Sequence, residues 1–234
     1  MSSQLRRQTS RALWRAASGC CVVGCVSVSE FSSTYDALAS RYDDWSAGVV
    51  PDVREAWARK IDVFLTAGEP VVDLGCGTGV PVGRLLSPTY DYTGVDASAE
   101  MLAKARAVLP SVRMIHADMH AVRFSPGSLG AVVAFYSIGH TRRERHATLF
   151  AAIASWLRPG GVFIGNLHSH DDPDDYEPNW LGAGPMRWSG FDAATNVALL
   201  ADAGLQVTES AVIEQTEPEG TKIYPLWLLA RRDT

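Results

Sequence analysis

The chain has 234 residues, 47% of them hydrophobic and 20% charged, with a net charge of −5 at neutral pH. That length suits one sizeable α/β domain with a self-sufficient core, and the composition excludes a fibrous or disordered protein. No apolar run approaches the roughly 18 residues that a membrane helix needs, and an acidic body repels phosphate backbones, so neither a membrane nor a nucleic acid is an expected partner.

Residues 1–30 carry Arg6, Arg7, Arg11 and Arg15 ahead of an apolar run holding Cys20, Cys21 and Cys25. The pattern superficially resembles a secretion signal or lipid-attachment site, yet arginines crowd the run and no clean small-residue cleavage site follows. The segment reads as a disordered tail or a start assigned too far upstream. The fourth cysteine, Cys76, completes no legible disulfide framework, so a reducing cytoplasm is the expected compartment.

Organised sequence begins near Phe31. Tyr35, Leu38, Ala39, Tyr42 and Trp45 fall at helical spacing, and Ser46 and Gly48 suggest the end of that helix. A second helix is expected from Asp52 or Val53 to Thr66, ending at Gly68. Strands and helices then alternate. Strands are expected at Pro70–Leu74, Tyr92–Val95, Val112–His116, Ala131–Tyr136 and Gly161–Leu167, with helices at Val80–Leu86, Ala99–Leu109 and Arg143–Trp156. This order predicts right-handed crossovers and a mostly parallel, doubly wound, Rossmann-like sheet of seven strands. The stretch 168–190 is long, polar and broken by Pro, Gly and Trp, and reads as a loop or lid. Asp192 caps a helix to about Ala203, after which "LQVTESAVIEQ" and "KIYPLWLLARR" read as a closing antiparallel pair. Residues 31–234 thus form one domain.

The first strand runs into "VVDLGCGTG", placing Asp73 two residues ahead of Gly75, Gly77 and Gly79. Such a turn brings main-chain N–H groups to the carboxyl edge of the sheet, where α/β folds bind ligands. A dinucleotide site calls for G-x-G-x-x-G, and position 80 is Val, which weakens an NAD-linked oxidoreductase reading; a Walker loop is excluded because no Gly-Lys-Ser/Thr follows.

With "YTGVDASAEMLAKAR", "MIHADMHAVRF", "AVVAFYSIGH" and "WLRPGGVFIGN" following in order, the chain resembles the class I S-adenosylmethionine-dependent methyltransferases from about Tyr35 to Leu229. The resemblance implies S-adenosylmethionine as cofactor, with Asp96 on the ribose hydroxyls, Ala97 and Met101 on the adenine side, and Asp118 and Met119 at the adenine amino group and ring. Asp73, Gly75, Gly77, Thr78 and Gly79 would form the loop, and Tyr35 and Tyr136 would border the cofactor. These residue types suit a cofactor without phosphate, since carboxylates accept hydroxyl and amine protons. Asp96 has a competing reading as a helix cap, which Ser98 can serve instead.

His140, at the end of the fourth strand, is a candidate base or substrate orienter; the alternative is a capping or solvent histidine beside Arg142, Arg143 and Arg145. Trp180, Trp188 and Phe191, with Met186, are candidate walls of an acceptor pocket, against simple packing over the sheet edge. His116, Asp118 and His120 alternate and His168, His170, Asp171 and Asp172 cluster, but no metal is expected: Asp118 has the adenine role, and solvated lid charges explain the second group. The expected function is methyl transfer from S-adenosylmethionine to an O or N atom of a small molecule. The alternative is a protein of the same fold that binds the cofactor without methylating.

Overall fold

The computed structural model describes residues 31–233; the expected tail at 1–30 lies outside them. The chain opens with three short helices, α1 (Ser32–Leu38), α2 (Tyr42–Ala47) and α3 (Arg54–Ala58), the last tightening into a 3₁₀ turn, Arg59–Val63. Two expected long helices are therefore broken. The first breaks at residues 39–41, and the second gives way to the 3₁₀ turn, where Ile61 is wholly buried and Val63 exposed.

There follow β1 (Pro70–Leu74), α4 (Val82–Leu86), β2 (Asp91–Asp96), α5 (Ala99–Val108), β3 (Arg113–His116), β4 (Leu129–Ala134), α6 (His146–Trp156) and β5 (Leu157–Leu167). After them come β6 (Asp172–Trp180), β7 (Gly184–Gly190), α7 (Ala193–Asp202), β8 (Leu205–Val212), β9 (Gln215–Thr216), β10 (Lys222–Ile223) and β11 (Leu226–Arg232). Seven strands form one sheet in the order β3-β2-β1-β4-β5-β11-β8. β1 pairs in parallel with β2 and β4, and β11 runs antiparallel to both β5 and β8. This is the expected Rossmann-like sheet with its antiparallel C-terminal strand.

The central strands are buried on both faces. Val72, Leu74, Val132, Phe163 and Leu228 pack into one apolar layer with Phe150 and Ile153 of α6 and Leu200 of α7. Their neighbours Val71, Val133, Ile164 and Trp227 pack into the other with Trp57, Ile61 and Leu86. The sheet reverses direction of travel at the β1–β4 pair, so a crevice opens beyond the carboxyl ends of those two strands.

Most strand and helix ends fall within a few residues of expectation, and three differences have a clear cause or consequence. β4 ends at Ala134 because the chain turns at Tyr136, whose φ of +50° no strand can hold. β5 starts at Leu157, four residues early, across an irregularity in its pairing with β4. The stretch read as a loop is a β6–β7 hairpin, turned at residues 181–183 by positive φ at Leu181 and Gly182. Its residues 173–179 are exposed, so no apolar alternation marks β6 as a strand. The hairpin is fastened to α1 by the Thr34 hydroxyl, which donates to the Pro185 carbonyl at 2.8 Å. Among the described residues no helix is long and apolar enough to cross a membrane.

Candidate active site

The three glycines that follow β1 have different jobs. Gly75 has φ +80°, and a Cβ there would lie 2.3 Å from the Ser137 Cβ, so it lets the β1 and β4 loops touch. Gly79 has φ +78° and would press a Cβ to 2.9 Å from Leu109, so it seats the loop on the end of α5. Gly77, at φ +54°, has nothing within 4 Å of its missing Cβ. Of the three, Gly75 and Gly77 line a cavity, Gly75 while also packing against Ser137, and Gly79 serves the packing of the loop.

Asp96 closes this loop. Its Oδ2 accepts the Gly77 N–H and its Oδ1 the Ser98 N–H, each at 2.8 Å, while burial raises its pKa above the ordinary carboxylate value. Helix capping falls to Ser98, whose Oγ accepts the Met101 N–H at 3.1 Å and donates to Asp36 of α1 at 2.5 Å. Each Asp96 oxygen thus holds one backbone proton and keeps acceptor capacity. Gly77, Asp96, Ala97, Met101, Asp118 and Met119 line one cavity together with Gly75, Tyr35 and Tyr136. Asp118 is braced through its Oδ1, which accepts the His120 N–H at 2.7 Å. Two carboxylates and two methionines in its lining, with no cation on the glycine loop, suit a nucleoside with hydroxyls and an amine, not a pyrophosphate.

Asp73 and Thr78 stand outside this wall. Tyr92 donates to Asp73 Oδ2 at 2.7 Å, and burial pushes the Asp73 carboxyl up to about 7. The Thr78 hydroxyl donates to Asp43 of α2 at 2.6 Å, tying the glycine loop to the N-terminal helices.

Beyond this cavity lies a second of about 510 Å³, within the range of small-molecule pockets. Tyr35, Tyr42, Tyr136 and His140 line both. Nε2 of His140 lies 2.7 Å from the Tyr35 hydroxyl, and Nδ1 lies 3.2 Å from the Arg187 carbonyl. A carbonyl can only accept, so Nδ1 carries the proton and Nε2 receives the Tyr35 O–H. Burial lowers His140 to about 4, leaving the imidazole neutral at pH 7. Tyr136 is locked at its positive φ: its N–H donates to Asn166 Oδ1 and its hydroxyl to Gln215 Oε1, both at 2.7 Å.

Trp180 and Trp188 wall the larger cavity, their ring centroids 5.6 Å apart, with Tyr35 at 5.8 Å and Trp45 at 5.4 Å from Trp180. Phe191 does not join them. It packs beneath the Arg143 guanidinium at 4.9 Å and against the His146 ring, outside the cavity wall, because Asp192 starts α7 immediately after it. Met186 is wholly buried. Asn166 and Gln215 were missed, since their roles arise from contacts between distant segments and leave no local pattern; the Asp52–Arg54 pair, two residues apart, was missed because a short charge pair at the start of a helix has no feature that points to a cavity. Among the described residues no three or more His, Cys, Asp or Glu converge as metal ligands; His116 Nε2 is within 2.9 Å of the Ala97 carbonyl instead.

Residues 71–161 match a family model described as a methyltransferase domain. The trans-aconitate 2-methyltransferase of an Azoarcus species is 37% identical over 56% of this chain and 53% of its own length. The dTDP-3-amino-3,4,6-trideoxy-alpha-D-glucopyranose N,N-dimethyltransferase of Streptomyces venezuelae is 28% identical over 53% and 52%. The chain thus spans about half the length of these curated relatives. The fold is that of the Burkholderia thailandensis 1,6-didemethyltoxoflavin-N1-methyltransferase, solved with 1,6-didemethyltoxoflavin and S-adenosylhomocysteine bound. That structure aligns with a TM-score of 0.56 at 20% identity over 93% of this chain and 97% of its own.

Proposed function

We propose that this chain, a class I S-adenosylmethionine-dependent methyltransferase by its fold and its matched domain, transfers a methyl group to an O or N atom of a small molecule. The observation that carries the reading is the wall shared by the two cavities, Tyr35, Tyr42, Tyr136 and His140. One cavity has the donors and acceptors of a nucleoside site, the other has aromatic walls, and they meet at a neutral base. The named relatives support a small acceptor, since two carry a small carboxylic acid or an amino sugar in their names.

S-adenosylmethionine, when bound, supplies a methyl group activated on a sulfonium. Asp96, Asp118 and the Gly77 main chain would hold its nucleoside, and Met101 and Met119 its flat face. Tyr35 and Tyr42 cover the junction from the N-terminal helices. Alignment of the acceptor in a dry pocket is the main catalytic device, and such alignment can be worth effective molarities of about 10⁵ M or more. His140 Nε2, directly or through the Tyr35 hydroxyl, takes the proton that the acceptor atom sheds. We extend the reading to a cytoplasmic setting without nucleic acid or metal; the buried free thiol of Cys76 suits a reducing compartment.

The test is transfer of a labelled methyl from S-adenosylmethionine into a panel of small carboxylic acids, alcohols, phenols and amines. Label appearing in product, and falling with His140→Ala, supports the reading. Cofactor binding with no label transfer to any class would favour the non-methylating alternative.

A further inference from the structure

The acceptor cavity carries an electrostatic bias that the transfer reaction alone does not require. Asp52, Asp172, Asp175, Glu177 and Glu217 all open onto it. Asp52 is matched by Arg54 at 2.7 Å. The cavity's lysine, Lys222, is turned to Glu214 at 2.6 Å. Among the described residues Asp172, Asp175, Glu177 and Glu217 enter no ion pair. Glu217 is half-buried, and burial together with neighbouring Glu219 raises its pKa, as expected where negative charge is uncompensated.

Aromatic rings line the same cavity as these carboxylates. Tyr42, Trp45 and Trp180 line the cavity and also its continuation to the surface, which Glu177, Glu217 and Glu219 share. Trp45 is held there by its Nε1, which donates to Glu219 at 2.9 Å. The cation at this outer mouth, Arg41, is turned to the Leu181 carbonyl. The guanidinium groups that could receive an anionic acceptor, Arg142 and Arg145, border the other cavity.

On the strength of the methyl-transfer reading, we infer that the acceptor is an amine that enters as its cation, drawn by the unpaired carboxylates and held against the Trp45 and Trp180 faces. Aromatic faces attract cations through the ring quadrupole, and they do so best where water is excluded. A carboxylate acceptor would meet repulsion along the same path, and a neutral phenol would gain nothing from the acids.

The chemistry balances. The ammonium first loses one proton, which the Tyr35 hydroxyl and His140 Nε2 relay and release to solvent water, since an imidazole held at about 4 does not keep it, and this frees a lone pair on nitrogen. That pair forms the new N–C bond to the methyl carbon as the carbon's bond to sulfur breaks, and the electrons of the broken bond stay on sulfur.

The experiment uses the intact chain saturated with S-adenosylhomocysteine, with tryptophan fluorescence reporting binding of three isosteres: choline, uncharged 3,3-dimethylbutan-1-ol and anionic 3,3-dimethylbutanoate. The expected result is choline bound at least tenfold tighter than either other probe. Glu217→Gln and Trp180→Ala should each weaken choline at least fivefold and leave S-adenosylhomocysteine affinity unchanged. Binding of S-adenosylhomocysteine with no preference for choline, or a preference that survives both substitutions, overturns the amine assignment and leaves methyl transfer standing. Failure of S-adenosylhomocysteine itself to bind overturns the methyl-transfer reading, and the amine assignment falls with it.

Discussion

The Tyr35 hydroxyl and the His140 Nε2 lie 2.7 Å apart although 105 residues separate them in the chain. One arrives on the N-terminal helix and the other at the exit of β4, and the Arg187 carbonyl on the hairpin fixes the tautomer of the second. Removing the base should therefore cost turnover more than cofactor binding. His140→Ala is expected to lower kcat about 10²-fold or more, and Tyr35→Phe less, with S-adenosylhomocysteine affinity changed by no more than about threefold in both. Stopped-time methyl-label assays paired with titrations separate the two effects; equal turnover in His140→Ala would remove the histidine from the chemistry.

Gly75 and Gly77 differ in what surrounds them, and alanine should report the difference. Gly75→Ala combines a left-handed backbone with the Ser137 contact and is expected to destabilise by about 2–5 kcal/mol. Gly77→Ala meets open space and should cost about 1–2 kcal/mol of stability, while it narrows the cofactor cavity and weakens S-adenosylhomocysteine. Urea unfolding and titration of both variants check the ordering, and a Gly77 variant less stable than the Gly75 variant would contradict it.

Burial sets the acid limb of stability. His120, His140 and His146 are each held at about 4, below the 6.5 of a free imidazole. The unfolded chain therefore takes up protons between about pH 6.5 and 4 that the native chain refuses, and stability falls as pH drops through that window. Asp73, raised to about 7, works in the opposite direction: its contribution is full below about pH 4 and is lost as pH rises toward 7. Three histidines outweigh one carboxyl, so Tm should drop from pH 7 to pH 5. Asp73→Asn should raise Tm at pH 8. Thermal melts across this range decide both signs.

Trp180 touches Tyr35, Trp45 and Trp188 and lines the acceptor cavity but not the cofactor cavity, so Trp180→Ala opens the acceptor cavity. Acceptor KM should rise about tenfold or more, as for a buried aromatic anchor. Phe191→Ala, outside the cavity, should lower stability and leave KM unchanged. Steady-state kinetics on a turned-over acceptor tell the two apart.

What was legible in the sequence was local chemistry. The Gly75 to Gly79 turn, Asp96 at the end of β2 and the Ser98 cap all declare themselves through short-range rules of backbone conformation and capping, and the buried strands through unbroken apolar runs. The β6–β7 hairpin was not legible, because its outer strand is exposed and proline-broken and takes its shape from contact with α1. Phe191 was misplaced for a related reason: a bulky residue beside a cap looks the same whether it faces the pocket or His146. The positive φ of Tyr136, stabilised by Asn166 and Gln215 from two other segments, arises from tertiary contacts alone.

The most direct test of the central claim is calorimetric titration of the full chain with S-adenosylmethionine, S-adenosylhomocysteine and NADH, beside Asp96→Ala. Asp96 ties the Gly77 and Ser98 amides and lines the cavity, so its loss should weaken both sulfur ligands by about 10- to 100-fold, the value of a charged hydrogen bond or two. The account predicts binding of the two sulfur ligands, that loss in the variant, and no heat with NADH. NADH binding in their place, or sulfur-ligand affinity indifferent to Asp96, would contradict it.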